Sequence, residues 1–330
     1  MKAPTPSPLP TKILDVRHLR VHFKTDEGMV EVVRDVSFTL FRRETLALVG
    51  ESGSGKSVTC LSINRLLPCP PAVISGGEII YQEVNLLRLP WKEMHLCRGK
   101  DIAMIFQEPA TALNPILTIR TQMNEVWLRH KDIRGKEADY WSIDLLARVG
   151  LPDAAKRLDS YPHELSGGMR QRVLIAMALI TNPSILIADE PTTALDVTTQ
   201  AQILELLVKM QQERKIGSLI FITHNLALVS QIADRVIVFY AGQIQEEAPA
   251  SELFRHPAHP YTQGLLSCFN SLEHKEDRFH AISGNPPDLK LLPSGCPFHP
   301  RCPHVVERCK TVAPELRAVN EKHTARCHFV

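Results

Sequence analysis

Long apolar runs are missing from this chain. The best candidate, Val173–Ile180, is closed off by Arg172 and Thr181, well short of the ~18 apolar residues that a bilayer-spanning helix needs. Charge of one sign is missing too. The 38 Lys and Arg nearly cancel the 36 Asp and Glu, leaving a net +2, so charge alone argues for neither nucleic acid nor an anionic membrane surface. Nothing at the start reads as a secretory leader: Met1 to Pro10 alternates with proline and has no apolar h-region. Residues 1–11 read as a disordered lead-in, and the chain is expected in the cytosol. Any membrane role then runs through a partner. With 330 residues, 44 % hydrophobic and 22 % charged, the chain has the composition of a globular protein and enough length for one large domain or two unequal ones.

Ile13–Phe23 and Val30–Leu40 alternate apolar and polar residues, as half-buried strands do. Thr45–Val49, Ile102–Phe106, Ile185–Ala188, Leu219–Ile222 and Val236–Phe239 are short, continuous apolar runs, the mark of strands buried in a parallel sheet. Helical patterns fall between them at Ser57–Leu67, Gly168–Thr181, Thr198–Glu213 and Leu226–Ala233. The alternation predicts an α/β fold with a mainly parallel core sheet. Residues 108–165 break the rhythm with helical stretches at Thr118–His130 and Lys136–Val149, and read as an inserted helical subdomain. After Pro249 the chain turns rich in Pro, His and Cys. The boundaries expected are 12–250 for the main domain and 251–330 for an extension.

Gly50-Glu51-Ser52-Gly53-Ser54-Gly55-Lys56-Ser57 fits G-x-x-x-x-G-K-[ST], between a buried strand and a helix. Glycines let backbone N–H groups converge on phosphate oxygens, and the helix start adds a positive end. Lys56 is placed to neutralise the β and γ phosphates, Ser57 to ligate Mg²⁺, and Val58 to follow in the first helical turn. Downstream, the apolar strand Ile185–Ala188 ends in Asp189-Glu190. Strand alternation would aim Asp189 at the Mg²⁺ shell and Glu190 at the γ-phosphate, where a carboxylate can polarise water. Taken alone, such a pair is as readily a solvated strand end. The phosphate loop upstream decides between them.

Leu165-Ser166-Gly167-Gly168-Met169 is a second anion site at a helix start. One nucleotide needs one cradle, so a second one points to two chains sharing ATP. On these motifs the sequence resembles the ABC ATPase family, whose signature is LSGGQ, with Met169 in place of the last Gln. The likeness runs over about residues 13–272. It implies an ABC-type P-loop ATPase with an antiparallel β subdomain. It also implies Gln107 as the Q-loop glutamine touching Mg²⁺, Thr193–Asp196 as the D-loop, His224 as the switch histidine and Phe23 as the aromatic on adenine. ATP would lie between Lys56 of one chain and Ser166 of another, bound with Mg²⁺ in a head-to-tail dimer. The tail segments His256–Thr262, Gly284–Pro287 and Gly295–Pro303 resemble the oligopeptide/dipeptide permease ATPases, more closely the oligopeptide-type subunit. That resemblance implies a second, paralogous ATPase subunit, two integral permease subunits, a solute-binding protein beyond the membrane, no nucleic acid, and a peripheral place on the cytoplasmic face of the inner membrane. The solute implied is peptide, with nickel or another small solute as the alternative.

Four of the eight cysteines, Cys296, Cys302, Cys309 and Cys327, crowd the end of the chain in a C-x5-C-x6-C-x17-C pattern. Zinc fingers and ferredoxins use tighter pairs. Spacing alone allows one thiolate metal centre, zinc or iron–sulfur, or thiols left unliganded or joined in disulfides. The permease resemblance adds that such tails carry a [4Fe–4S] cluster in some members. Two other classes compete with a transport ATPase. Non-transport relatives fuse two cassettes or insert long coiled coils, and this chain has one cassette and no sustained heptads. The other is a metal-sensing module gated by hydrolysis.

Overall fold

The computed structural model describes residues 11–192, 195–213, 215–273 and 282–330. The lead-in before Thr11, and Thr193 and Ala194 of the D-loop motif, lie outside the described residues. Twelve strands are found among them: β1 (Lys12–Thr25), β2 (Gly28–Phe41), β3 (Thr45–Val49), β4 (Ala72–Tyr81), β5 (Val84–Asn85), β6 (Ile102–Ile105), β7 (Ile185–Asp189), β8 (Ser218–Ile222), β9 (Arg235–Tyr240), β10 (Gln243–Pro249), β11 (Arg317–Asn320) and β12 (His323–Ala325).

They form two sheets. The smaller is antiparallel, in the order β2-β1-β4-β5. The larger runs β11-β12-β10-β9-β3-β8-β7-β6. Its members β9, β3, β8, β7 and β6 are parallel, and β10, β12 and β11 continue it antiparallel from β9. Every residue of β3, β7 and β8 is buried. Covered on both faces, such strands have no polar side to alternate with, and hence read as continuous apolar runs.

Helices close both faces of the large sheet. On one side Ile175, Ala176, Leu186 and Phe221 share a core with the helical hairpin Ile119–Lys131 and Gly135–Arg148, through Met123, Trp127 and Leu146. That hairpin is locked internally by Trp127, whose indole N–H donates to Ser142 Oγ at 2.9 Å. On the other side Ile187 and Ile220 pack with Cys60 and Ile63 of the helix Lys56–Ile63 and with Leu14, Val16 and Leu40 of the small sheet. A third core gathers Val49, Val238 and Tyr240 with Leu253, Tyr261, Cys296, Phe298 and Cys309. Tail residues are thus built into the same apolar interior as the centre of the large sheet. Among the described residues no helix is long and apolar enough to cross a membrane.

Parallel strands all deliver their carboxyl ends to one edge. The loops after β3, β6, β7 and β8 therefore meet there, and these carry Gly50–Ser57, Gln107, Glu190 and His224. An open α/β sheet binds ligands at that edge.

Candidate active site

The phosphate loop folds around its own lysine. Lys56 is 5 % exposed. Its ammonium donates to Gly50 O at 2.8 Å, Glu51 O at 2.9 Å and Ser54 Oγ at 3.3 Å. Gly50, at φ +141°, has no room for a side chain, since a Cβ would stand 2.2 Å from Phe239 O. Gly55, at φ +102°, begins the helix, and a Cβ there would reach 2.9 Å from Val32 O. Burial lowers the Lys56 pKa, against the pull of Glu190, Asp189 and Glu51.

The carboxylates face this loop. Ser57 Oγ donates to Asp189 Oδ1 at 2.9 Å. A hydroxyl beside a carboxylate is a hard-oxygen pair of the kind Mg²⁺ accepts together with phosphate oxygens. Asp189 is 5 % exposed. Burial raises its pKa, with the charge of Glu190 adding to the rise and the Ser57 bond and Lys56 opposing it. Strand alternation does not aim Glu190. Strand β7 stops at Asp189, and Glu190 takes φ +43°, a left-handed conformation that a non-glycine residue adopts at a cost. Its N–H donates to Ile222 O at 3.0 Å, which holds the kink against β8. So turned, the carboxylate accepts from Gln107 Nε2 at 3.0 Å and lies 3.4 Å from His224 Nδ1. The structure thus brings Gln107, Glu190 and His224 together beside the Lys56, Ser57 and Asp189 group. Gln107 reaches Glu190 here; its hydrogen bond is not to Asp189 or Ser57.

Beside the loop opens a cavity of about 400 Å³ lined by Phe23, Val30, Ser52, Tyr240, Pro287 and Leu289, among others. Phe23 thus stands at the mouth of the phosphate loop. The opposite wall, Pro286–Lys290, comes from the tail and is pinned by Lys290 Nζ to Glu27 Oε2 at 2.6 Å. Nothing in the composition or spacing of Gly284–Pro287 places that segment in the site.

Ser166 caps the helix Gly167–Leu179, accepting from Met169 N at 3.3 Å. Among the described residues its hydrogen bonds stay within that helix. Gly168 lies against Thr199, where a Cβ would come to 2.9 Å from Cγ2. Within one chain, no hydrogen bond or ion pair among the described residues joins Ser166 to the Lys56 group.

Of the four tail cysteines, Cys296, Cys309 and Cys327 are buried, Cys302 is half-buried, and all four are free thiols. Burial pushes the Cys296 thiol up to about 11 and raises Cys302 and Cys327. All three are raised further by neighbouring tail cysteines, so the four form one neighbourhood. Among the described residues no three His, Cys, Asp or Glu are arranged to hold a metal ion. The donor chemistry suits a soft metal centre; a preformed ion cage is not there.

With a buried lysine inside a glycine-rich loop, a hydroxyl–carboxylate pair fit for Mg²⁺ and a second carboxylate turned to the same sheet edge, the site is that of a nucleoside-triphosphate hydrolase of the P-loop class. Residues 33–193 match the family model described as ABC transporter, and residues 245–309 the one described as oligopeptide/dipeptide transporter, C-terminal region. The chain is 50 % identical to the dipeptide transport ATP-binding protein DppD of Bacillus subtilis, over 96 % of this chain and 94 % of that protein. It is 49 % identical to the oligopeptide transport ATP-binding protein OppD of the same organism, over 95 % and 87 %. A solved dimer of the ATP-binding cassette MJ0796, in a post-hydrolysis state bound to ADP and Pi, superposes with a TM-score of 0.65 at 26 % identity, covering 72 % of this chain and 99 % of that one. The chain belongs to the ABC transporter ATP-binding proteins, and is an ATPase of that family carrying the oligopeptide/dipeptide transporter C-terminal region.

Proposed function

We propose that the chain is one of two ATPase subunits that drive a peptide importer. It would sit on the cytoplasmic face of the membrane beneath two permease subunits, with a solute-binding protein on the far side. The observation that carries the ATPase chemistry is the Ser57–Asp189 contact beside buried Lys56, with Glu190 turned toward the same loop. Lys56 and the loop N–H groups, with Val58 in the helix turn behind them, hold the triphosphate, and Phe23 stacks on the base. Ser57, Asp189 and, once ATP draws the Q-loop in, Gln107 are the residues that would hold Mg²⁺, which neutralises phosphate charge when bound. Glu190 takes the proton of the attacking water, and His224, beside it, faces the γ-phosphate. Ser166, Gly167 and Gly168 bind the nucleotide of the partner subunit through their helix start. Their separation from the Lys56 group within one chain supports that reading.

Residues 12–250 form the ATPase domain in this proposal, with 108–165 as its helical subdomain, and 251–330 the extension. The peptide class rests on the relatives' names and the C-terminal match. Vesicles holding the chain with its permease subunits and second ATPase should take up labelled di- and oligopeptides when ATP is inside. Uptake of nickel but not peptide would place the transporter in the alternative class. Cys296, Cys302, Cys309 and Cys327 are the residues that would hold a [4Fe–4S] cluster; Cys296 and Cys309 share one core with Cys302 packed against it, and Cys296 N–H donates to Cys309 O at 2.8 Å, in a tail that ligation would stiffen. Anaerobically purified protein should then carry iron and sulfide, about four of each per chain. Stoichiometric zinc would replace the cluster with a simple clip, and four metal-free thiols would reject both.

A further inference from the structure

The phosphate loop is gripped from the far end of the chain. Arg301 lies 250 residues from Glu51, yet its guanidinium bonds that carboxylate with both prongs, Nη1 to Oε2 at 2.7 Å and Nη2 to Oε1 at 2.9 Å. The Arg301 side chain is only 5 % exposed. Its Nε donates to Ser283 O at 3.0 Å and it lies 5.9 Å from the centre of the Tyr240 ring, so it has one orientation. Glu51 is held a second time, through its backbone: its N–H donates to Tyr261 Oη at 2.9 Å. Tyr261 and Tyr240 pack against each other and against Phe298. The next link is the lysine, because Glu51 O accepts from Lys56 Nζ. A continuous line thus runs from the turn His299–Arg301, between Cys296 and Cys302, through Glu51 to the phosphate-binding ammonium.

A glycine-rich loop loses much freedom when it orders on a ligand. Fixing it beforehand removes that cost from binding. The pair also cancels a carboxylate that would otherwise stand uncompensated beside a triphosphate. A buried, two-pronged guanidinium–carboxylate pair is strong and specific in direction, and a lysine cannot reproduce it. We propose that Arg301 is a positioning residue for the ATPase: by pinning Glu51 it sets the shape of the empty phosphate loop, and thereby the affinity for ATP. The inference rests on the phosphate loop binding ATP.

The test is equilibrium binding of ATP with Mg²⁺ to the full chain, paired with the KM and kcat of the assembled transporter. Arg301→Met should weaken ATP binding by about tenfold to a hundredfold, the range of a lost charge-assisted contact. KM should rise in step while kcat stays within about twofold. Glu51→Gln in the Arg301→Met background should recover part of the loss, because the stranded charge is gone. Wild-type affinity in folded Arg301→Met, with only a lower melting temperature, would make the pair a structural clip and overturn the proposal. So would losses that simply add in the double variant. If Arg301→Met does not fold, Arg301→Lys replaces it, and about threefold or more weaker binding is expected; unchanged affinity overturns the proposal. Lys56→Ala is the control. Loss of binding there with none in the Arg301 variant condemns this inference alone, whereas undiminished binding there condemns the ATP site itself.

Discussion

Replacing Glu190 by Gln separates chemistry from binding. The amide is the same size as the carboxylate, and Gln107 and His224 tolerate it. Gln107 Nε2 donates to one oxygen at 3.0 Å, and an amide oxygen accepts equally well. The new NH₂ then turns to His224 Nδ1, 3.4 Å from the other oxygen, with the histidine carrying its proton on Nε2. The left-handed backbone at φ +43° is unchanged, because either side chain meets the same constraint there. What disappears is the base. A positioned general base is worth about 10²–10⁴ in rate, or ~3–5 kcal/mol of barrier. One negative charge also leaves the neighbourhood of a polyanion; at an effective dielectric near 20 and ~8 Å, that is ~2 kcal/mol in favour of binding. Steady-state phosphate release by the assembled transporter should therefore fall at least ~100-fold, while ATP binds the variant as tightly as before or more so. Turnover within about fivefold of the unaltered protein would mean that water is activated elsewhere. A loss of ATP affinity would mean that the carboxylate holds the loop rather than the water.

Lys56→Ala removes the ammonium that three loop acceptors surround. ATP affinity in an equilibrium assay should drop at least ~100-fold, since Gly50–Ser57 carries no other cationic side chain to offset the β and γ charges. Ser166→Ala should leave ATP binding to the isolated chain untouched and lower its stability by ~1 kcal/mol through the lost helix cap; hydrolysis by the assembled transporter should collapse. An isolated monomer that turns over ATP as fast as the assembly would contradict the shared site. His259 is buried, accepts from Tyr261 N at 3.0 Å and lies beside Arg326, and burial pulls its pKa down to about 4. It stays neutral when folded but takes a proton below ~6.5 when unfolded, so stability falls as pH drops from ~6.5 toward ~4, by up to ~1.4 kcal/mol per unit. Urea midpoints at pH 7 and pH 5 measure the slope, and His259→Asn, which keeps an acceptor but does not titrate, should flatten it.

What could be read from the sequence was local. The strands at Thr45–Val49, Ile185–Asp189 and Ser218–Ile222 announce themselves because burial on both faces demands unbroken apolar runs. The phosphate loop does so because its residues are contiguous at a fixed spacing, although what denies Gly50 and Gly55 a side chain is the distant backbone of Phe239 and Val32. Gln107, Glu190 and His224 could be picked out, and they do meet. The aim of Glu190 could not, since it depends on a left-handed residue held by β8 rather than on strand alternation. The far edge of the large sheet was missed as well. Strand β11 is exposed throughout and β12 has three residues, so neither carries a usable period; pairing of β12 with β10, and of β11 with β12, makes them strands. The Arg301–Glu51 pair is the extreme case, because two residues so far apart leave no trace of each other in composition or spacing.

The position of β3 in its sheet has a consequence in time. It is made early, yet it lies between β8 and β9, and Thr45 pairs with Leu219. At a synthesis rate of about 5–20 residues per second, the ~170 intervening residues take on the order of ten to thirty seconds to emerge. Throughout that interval the nascent chain carries an apolar strand with both hydrogen-bonding edges empty, next to a glycine-rich loop that has no ligand cradle to form. The tail wall Pro286–Lys290 and Arg301 arrive later still, more than 60 residues after Leu219. Ribosome release before Arg301 would therefore yield a chain whose phosphate loop lacks both the Arg301 grip on Glu51 and the wall opposite Phe23.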